Sequence, residues 1–137
     1  MTRKPMNILI ASLVAGTLAS TAMIAPAHAG GSLSITLAPR NADEHRLMAA
    51  GLAIYAISQG IRNGSISQRG SGNSAGLRQN GRGNLGVVHQ EGQGHSGTLQ
   101  QNGNRNSYGL FQFGRNTSGH VVQNGSGQAG ATFQFGW

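Results

Sequence analysis

From Ser65 onward, apolar and polar positions keep one rhythm. An aliphatic residue recurs every 11 positions, at Ile66, Leu77, Val88, Leu99, Leu110 and Val121, with Thr132 in the last unit. Two places before each stands a residue that is mostly tiny: Gly64, Ala75, Gly86, Gly97, Tyr108, Gly119 and Gly130. Two places after each stands a glutamine: Gln68, Gln79, Gln90, Gln101, Gln112, Gln123 and Gln134. Alternate residues of a strand share a face, so the small residue, the aliphatic residue and the glutamine point the same way. The pattern predicts a strand in every unit, with that face turned inward.

The turns follow the glutamines. Gly70, Gly72 and Asn73 close the first unit, and Gly81, Gly83 and Asn84 the second; Gly92, Gly103, Gly114 and Gly125 keep the same place later on. Glycine accepts positive φ, and asparagine bonds its own backbone in tight turns. Two strand-turn units then complete a coil of 22 residues, and a 22-residue alternation is visible: Asn80, Asn102 and Asn124 fall on one wall, Phe111, Phe113, Phe133 and Phe135 on the other. The expected fold is an all-β, two-walled β-solenoid of about three and a half coils, rising roughly 4.8 Å per coil. A buried glutamine is costly unless its amide is paired. Stacking supplies the pairing: each amide donates to one neighbouring rung and accepts from the other, a ladder through the interior.

The first 64 residues break this rhythm. Arg3 and Lys4 precede a largely apolar run from Ile8 to Ala25, and Ala27-His28-Ala29 offers small residues at a cleavage site, so residues 1–29 read as a secretory signal peptide and not a transmembrane anchor. Residues 30–64 form a leader. Leu33, Ile35 and Leu37 alternate like a short strand, Pro39 ends it, and Asn41 or Asp43 begins a helix expected over 43–59. The leader is expected to fold across the first coil as a cap on the repeats of 65–137. The last strand would then keep a bare and adhesive edge at Phe133, Phe135 and Trp137.

Composition narrows the chemistry. With no cysteine in its 137 residues, the chain has no disulfide framework despite its export signal. Abundant Gly, Asn, Gln and Ser would ordinarily read as disorder, and the unbroken 11-residue register argues against it. After residue 29 there are eight arginines against Asp43, Glu44 and Glu91, an excess of five positive charges. Arg69, Arg78, Arg82, Arg105 and Arg115 fall on outward strand or turn positions. Either they keep the chain soluble and its edges unpaired during export, the favoured reading, or they form a surface for anionic polymers. His45, His89, His95 and His120 show no metal-ligand spacing and read as scattered surface residues. No paired carboxylates, nucleophile elbow or Walker lysine is present, so no enzyme and no cofactor is expected.

The motif Gln68-x-Gly70-x-Gly72-Asn73-x-Ala75-x-x-x-Gln79 resembles the curlin repeat at every specified position. The next unit departs only in Gly86 for alanine; later, His95, Thr117 and Gln128 replace the turn asparagine, and Arg105 and Asn116 replace the second glycine. The resemblance covers about residues 65–137. It implies a subunit of curli, the functional amyloid fibres of bacterial surfaces and biofilm matrix, self-associating through its end coils. It further implies partnership with another curlin subunit and export through an outer-membrane pore. A minor, nucleating subunit is the alternative within the family. A monomeric basic solenoid that binds extracellular nucleic acid or polysaccharide is the alternative outside it.

Overall fold

The computed structural model describes residues 30–137; the signal peptide expected over 1–29 lies outside the described residues. Seven strands carry the repeats: β2 (Gly64–Ser71), β3 (Ser74–Asn80), β4 (Leu85–Gln93), β5 (Ser96–Asn102), β6 (Ser107–Arg115), β7 (Ser118–Asn124) and β8 (Ala129–Gly136). They alternate between two walls. One wall runs β2-β4-β6-β8 and the other β3-β5-β7, all parallel and each shifted by 22 residues, so that Gln68 pairs with Gln90 and Gln79 with Gln101. The chain is a β-solenoid of three and a half coils preceded by a strand and a helix.

Between the walls, Val88, Leu99 and Leu110 are fully buried, with Ala75, Leu77 and Val121 packed against them. Each such aliphatic side chain contributes roughly 1.5–3 kcal/mol by leaving water. The reason for the tiny residue two places earlier lies on the facing wall. A Cβ on Gly86 would stand 3.0 Å from Gln101 Oε1, and one on Gly119 would stand 2.9 Å from Gln134 Oε1. The facing amides and leucine methyls, Leu77 and Leu110, need that space.

Before the repeats come β1 (Ser32–Leu37) and α1 (Ala42–Ser58). The helix begins in a capping box: Asn41 Oδ1 accepts the Glu44 N–H at 2.9 Å, and Glu44 Oε2 accepts the Arg40 N–H at 2.7 Å. It ends in a Schellman motif at Gly60 (φ 70°), with Ile61 N–H donating to Ala56 at 2.8 Å and Gly60 N–H to Ile57 at 3.1 Å. Met48, Leu52, Tyr55 and Ala56 share one helix face and lie on Leu85, Val87, Phe111 and Phe133, the outer side of the β4-β6-β8 wall. Tyr55 meets Phe111 edge-on at 5.6 Å, and Phe111 stacks on Phe133 at 4.9 Å. This second core explains why Phe111 is buried although it points away from the coil interior.

Two expectations need correcting. The leader does not cover the first coil. β1 pairs antiparallel with β8, in the register Ser34 with Gln134 and Thr36 with Thr132, so the covered edge of this wall is the C-terminal one and β2 and β3 stand bare. Sequence pattern identifies a strand but carries no term for which distant edge it joins. Nor are the histidines all superficial. His95 is 1% exposed, because it fills the turn place that asparagine holds elsewhere; its ring meets Glu91 O and Thr117 Oγ1, the latter at 2.8 Å.

Candidate functional site

The glutamines project between the walls because they share parity with the aliphatic positions, and two amide columns result. In one, Gln68 Nε2 donates to Gln90 Oε1 (2.8 Å), Gln90 to Gln112 (2.7 Å) and Gln112 to Gln134 (2.7 Å). In the other, Gln79 donates to Gln101 (2.9 Å) and Gln101 to Gln123 (2.8 Å). Gln90, Gln101 and Gln112 are completely buried, whereas Gln68, in the end strand, is exposed.

Each amide also has a second N–H, which sequence reasoning left unplaced. From Gln79 onward it crosses to the facing wall: Gln90 donates to Ser74 O (2.8 Å), Gln101 to Leu85 O (3.0 Å) and Gln134 to Ser118 O (2.8 Å). These carbonyls belong to residues that begin or precede strands, so the columns bind wall to wall as well as coil to coil. The signal was the constant 16-residue offset from glutamine back to strand start.

The turns stack by the same logic. Asn73 and Asn84 donate to the carbonyls of Gly92 and Gly103 in the coil above, at 3.1 and 2.9 Å. Their Oδ1 atoms accept the N–H groups of His95 and Asn106, both at 3.0 Å. Gly70, Gly81, Gly92, Gly103, Gly114 and Gly125 have φ between 87° and 131°, and a Cβ on Gly103 would run into the Gly125 carbonyl. At the second turn position Gly72 and Gly83 have φ of 67° and 69°; Arg105 and Asn116 adopt the same left-handed backbone, φ 57° and 52°, without being glycine.

The outward arginines, Arg69, Arg78, Arg82, Arg105 and Arg115, are all exposed. Arg69 lies on one wall and Arg78 on the other, Arg82 and Arg105 on the turns at one margin, and Arg115 at the end of β6 toward the opposite margin. They do not gather on one face. Among the described residues no group of three potential metal-ligating side chains occurs.

What the geometry does bring together is a pair of stack ends. Residues 63–92, which span β2 to β4, match the model of the curlin associated repeat. That segment is similar to a curlin associated repeat. No curated relative and no solved structure matches the chain. The curlin repeat and the solenoid fold are structural rather than enzymatic, and among the described residues no helix is long and apolar enough to cross a membrane.

At the N-terminal end of the coil stack, β2 and β3 are outer strands, and Ile66 is 44% exposed. At the C-terminal end, β8 is covered by β1 but β7 has no strand beyond it. Two residues that break the inner-face rule meet there. Tyr108, at a position otherwise Gly or Ala, donates or accepts a hydrogen bond with Thr132 Oγ1 at 2.7 Å; Thr132, at an otherwise aliphatic position, reaches Thr36 of β1 at 3.1 Å. Burial raises the Tyr108 pKa, the bond to Thr132 pulling the other way.

Proposed function

We propose that this protein is a secreted structural subunit that polymerises into curli-like extracellular amyloid fibres for adhesion and biofilm matrix. One observation carries the reading: the coil stack stops at β2 and β3 with outer strands unpaired and Ile66 open to water, so its end is a template for another coil. The signal peptide expected over residues 1–29 fits export, and the repeat family fits delivery through an outer-membrane pore and company with a second curlin subunit. In this reading the glutamine columns are the spine of the subunit, and the turn glycines and asparagines its stacked margins. The exposed arginines serve solubility and at most weak contact with anionic polymers, since they are spread over both walls and both margins.

Purified residues 30–137 at micromolar concentration should become fibrous within days, with thioflavin fluorescence and a cross-β diffraction pattern whose meridional spacing is about 4.7–4.8 Å. A chain that stays monomeric and clear would remove the fibre reading and favour a monomeric basic solenoid.

A further inference from the structure

The amide columns have a direction. At the N-terminal end, Gln68 and Gln79 donate to the next rung, and no group among the described residues donates to their Oε1 atoms. At the C-terminal end, Gln123 and Gln134 accept from the rung before, and each Nε2 reaches one main-chain carbonyl but no further glutamine. One end therefore offers acceptors and the other donors, at the same inner-face position of the repeat.

The C-terminal end is also uneven. The β8 wall runs on into β1, while the opposite wall stops at β7, leaving a slot lined by Ser34, Thr36, Leu110, Val121, Thr132 and Gln134. A strand of repeat sequence fits that slot. With β2 of a second copy laid parallel to β7, Gln68 of that copy falls opposite Gln123, Ile66 opposite Val121 and Gly64 opposite Gly119. This is the 22-residue register already seen between β5 and β7. The next strand of the copy, β3, would then fall along β8, with its Gln79 opposite Gln134. β1 occupies that place.

On the fibre reading above, we infer that the C-terminal end receives the N-terminal coil of a second copy, and that β1 is a removable cover which must leave β8 first. The seated joint completes both columns, Gln123 donating to Gln68 and Gln134 to Gln79 of the added copy. β1 is suited to leave: four of its six residues are exposed, and besides its backbone ladder it holds through the Thr36–Thr132 hydroxyl contact. Seven repeat strands are an odd number, so the added copy starts on the opposite wall. Successive copies are therefore turned by half a coil, and their α1 helices alternate between the two sides of the fibre.

The test fastens the cover. In residues 30–137 carrying both Thr36→Cys and Thr132→Cys, oxidation ties β1 to β8. Elongation of wild-type fibre seeds by the oxidised protein should fall at least tenfold, and reductant should restore it. A small proportion of oxidised protein should also halt wild-type growth, since a fastened copy can join but cannot be joined. Oxidised protein that elongates seeds at the reduced rate overturns the inference. Thr36→Val, which touches only the cover, provides a second arm: elongation should quicken severalfold, and an unchanged or slower rate counts against the cover. Absence of fibres from wild-type protein would defeat the fibre reading itself, whereas fibres indifferent to the disulfide would defeat only the cover.

Discussion

The middle of the coil stack and its ends are built from the same 11-residue unit, yet the unit means different things in the two places. Gln101 and Gln68 occupy equivalent positions. Gln101 is 0% exposed and is held by Gln79, Gln123 and the carbonyl of Leu85. Gln68 is exposed and makes one side-chain bond, to Gln90. Gly103 and Gly125 have nearly the same backbone, φ 120° and 117°, but a Cβ on Gly103 meets the next turn's carbonyl, while one on Gly125 meets only the Gln128 side chain at 3.1 Å. Stacking, then, and not local sequence, decides how much a repeat residue matters. An end unit is an interior unit whose partner has not arrived.

Alanine at the two glycines tests this most severely. Gly103→Ala suffers both the strained backbone and the overlap with Gly125, a loss of roughly 3–5 kcal/mol. Gly125→Ala suffers the backbone cost alone, about 1–3 kcal/mol. Denaturant unfolding of the monomers should separate the two, and equal losses would mean that coil stacking does not constrain the turn. In fibres the order should close up, because Gly125 becomes an interior turn once another copy is seated.

Leucine at the two glutamines comes next. Gln101→Leu leaves the Gln79 donor, the Gln123 acceptor and the Leu85 carbonyl short of partners, which should cost roughly 2–5 kcal/mol. Gln68→Leu leaves only Gln90 Oε1 short of a donor and should cost less, roughly 1–3 kcal/mol. A thermal-melt series that also carries the outward change Gln100→Leu will show whether burial governs the ranking. Should Gln101→Leu melt with Gln100→Leu, the inner column adds nothing to stability.

The smallest effect has the opposite sign. Arg105 holds a left-handed backbone that its neighbours in the stack, Gly83 and Gly127, reach as glycine. Arg105→Gly should stabilise the monomer by roughly 0.5–1 kcal/mol. Arg82→Gly, which removes the same charge from a turn position without positive φ, should destabilise it slightly. A gain from both would trace the effect to charge rather than to backbone strain.

The 11-residue rhythm by itself determined the strands, the parity that turns glutamines and aliphatics inward, the two walls and the 22-residue register. A repeated unit has one way to bury the same face many times, so local pattern and global fold coincide. It also marked Tyr108 and Thr132 as departures without saying what they were for. Three matters were decided only by tertiary structure. The second N–H of each glutamine from Gln79 onward found a carbonyl on the facing wall, a pairing that depends on the distance between walls and not on any motif. His95 was buried because the turn it sits in stacks beneath Thr117. The leader crossed to β8, since the capping box and Gly60 specify a helix and its ends, whereas its destination is set by the bare edge and the Phe111–Phe133 stack that 84 or more residues of intervening fold put within reach of His45 and Thr36. Periodicity determines what repeats; an element that occurs once is placed by the surfaces the repeats leave open.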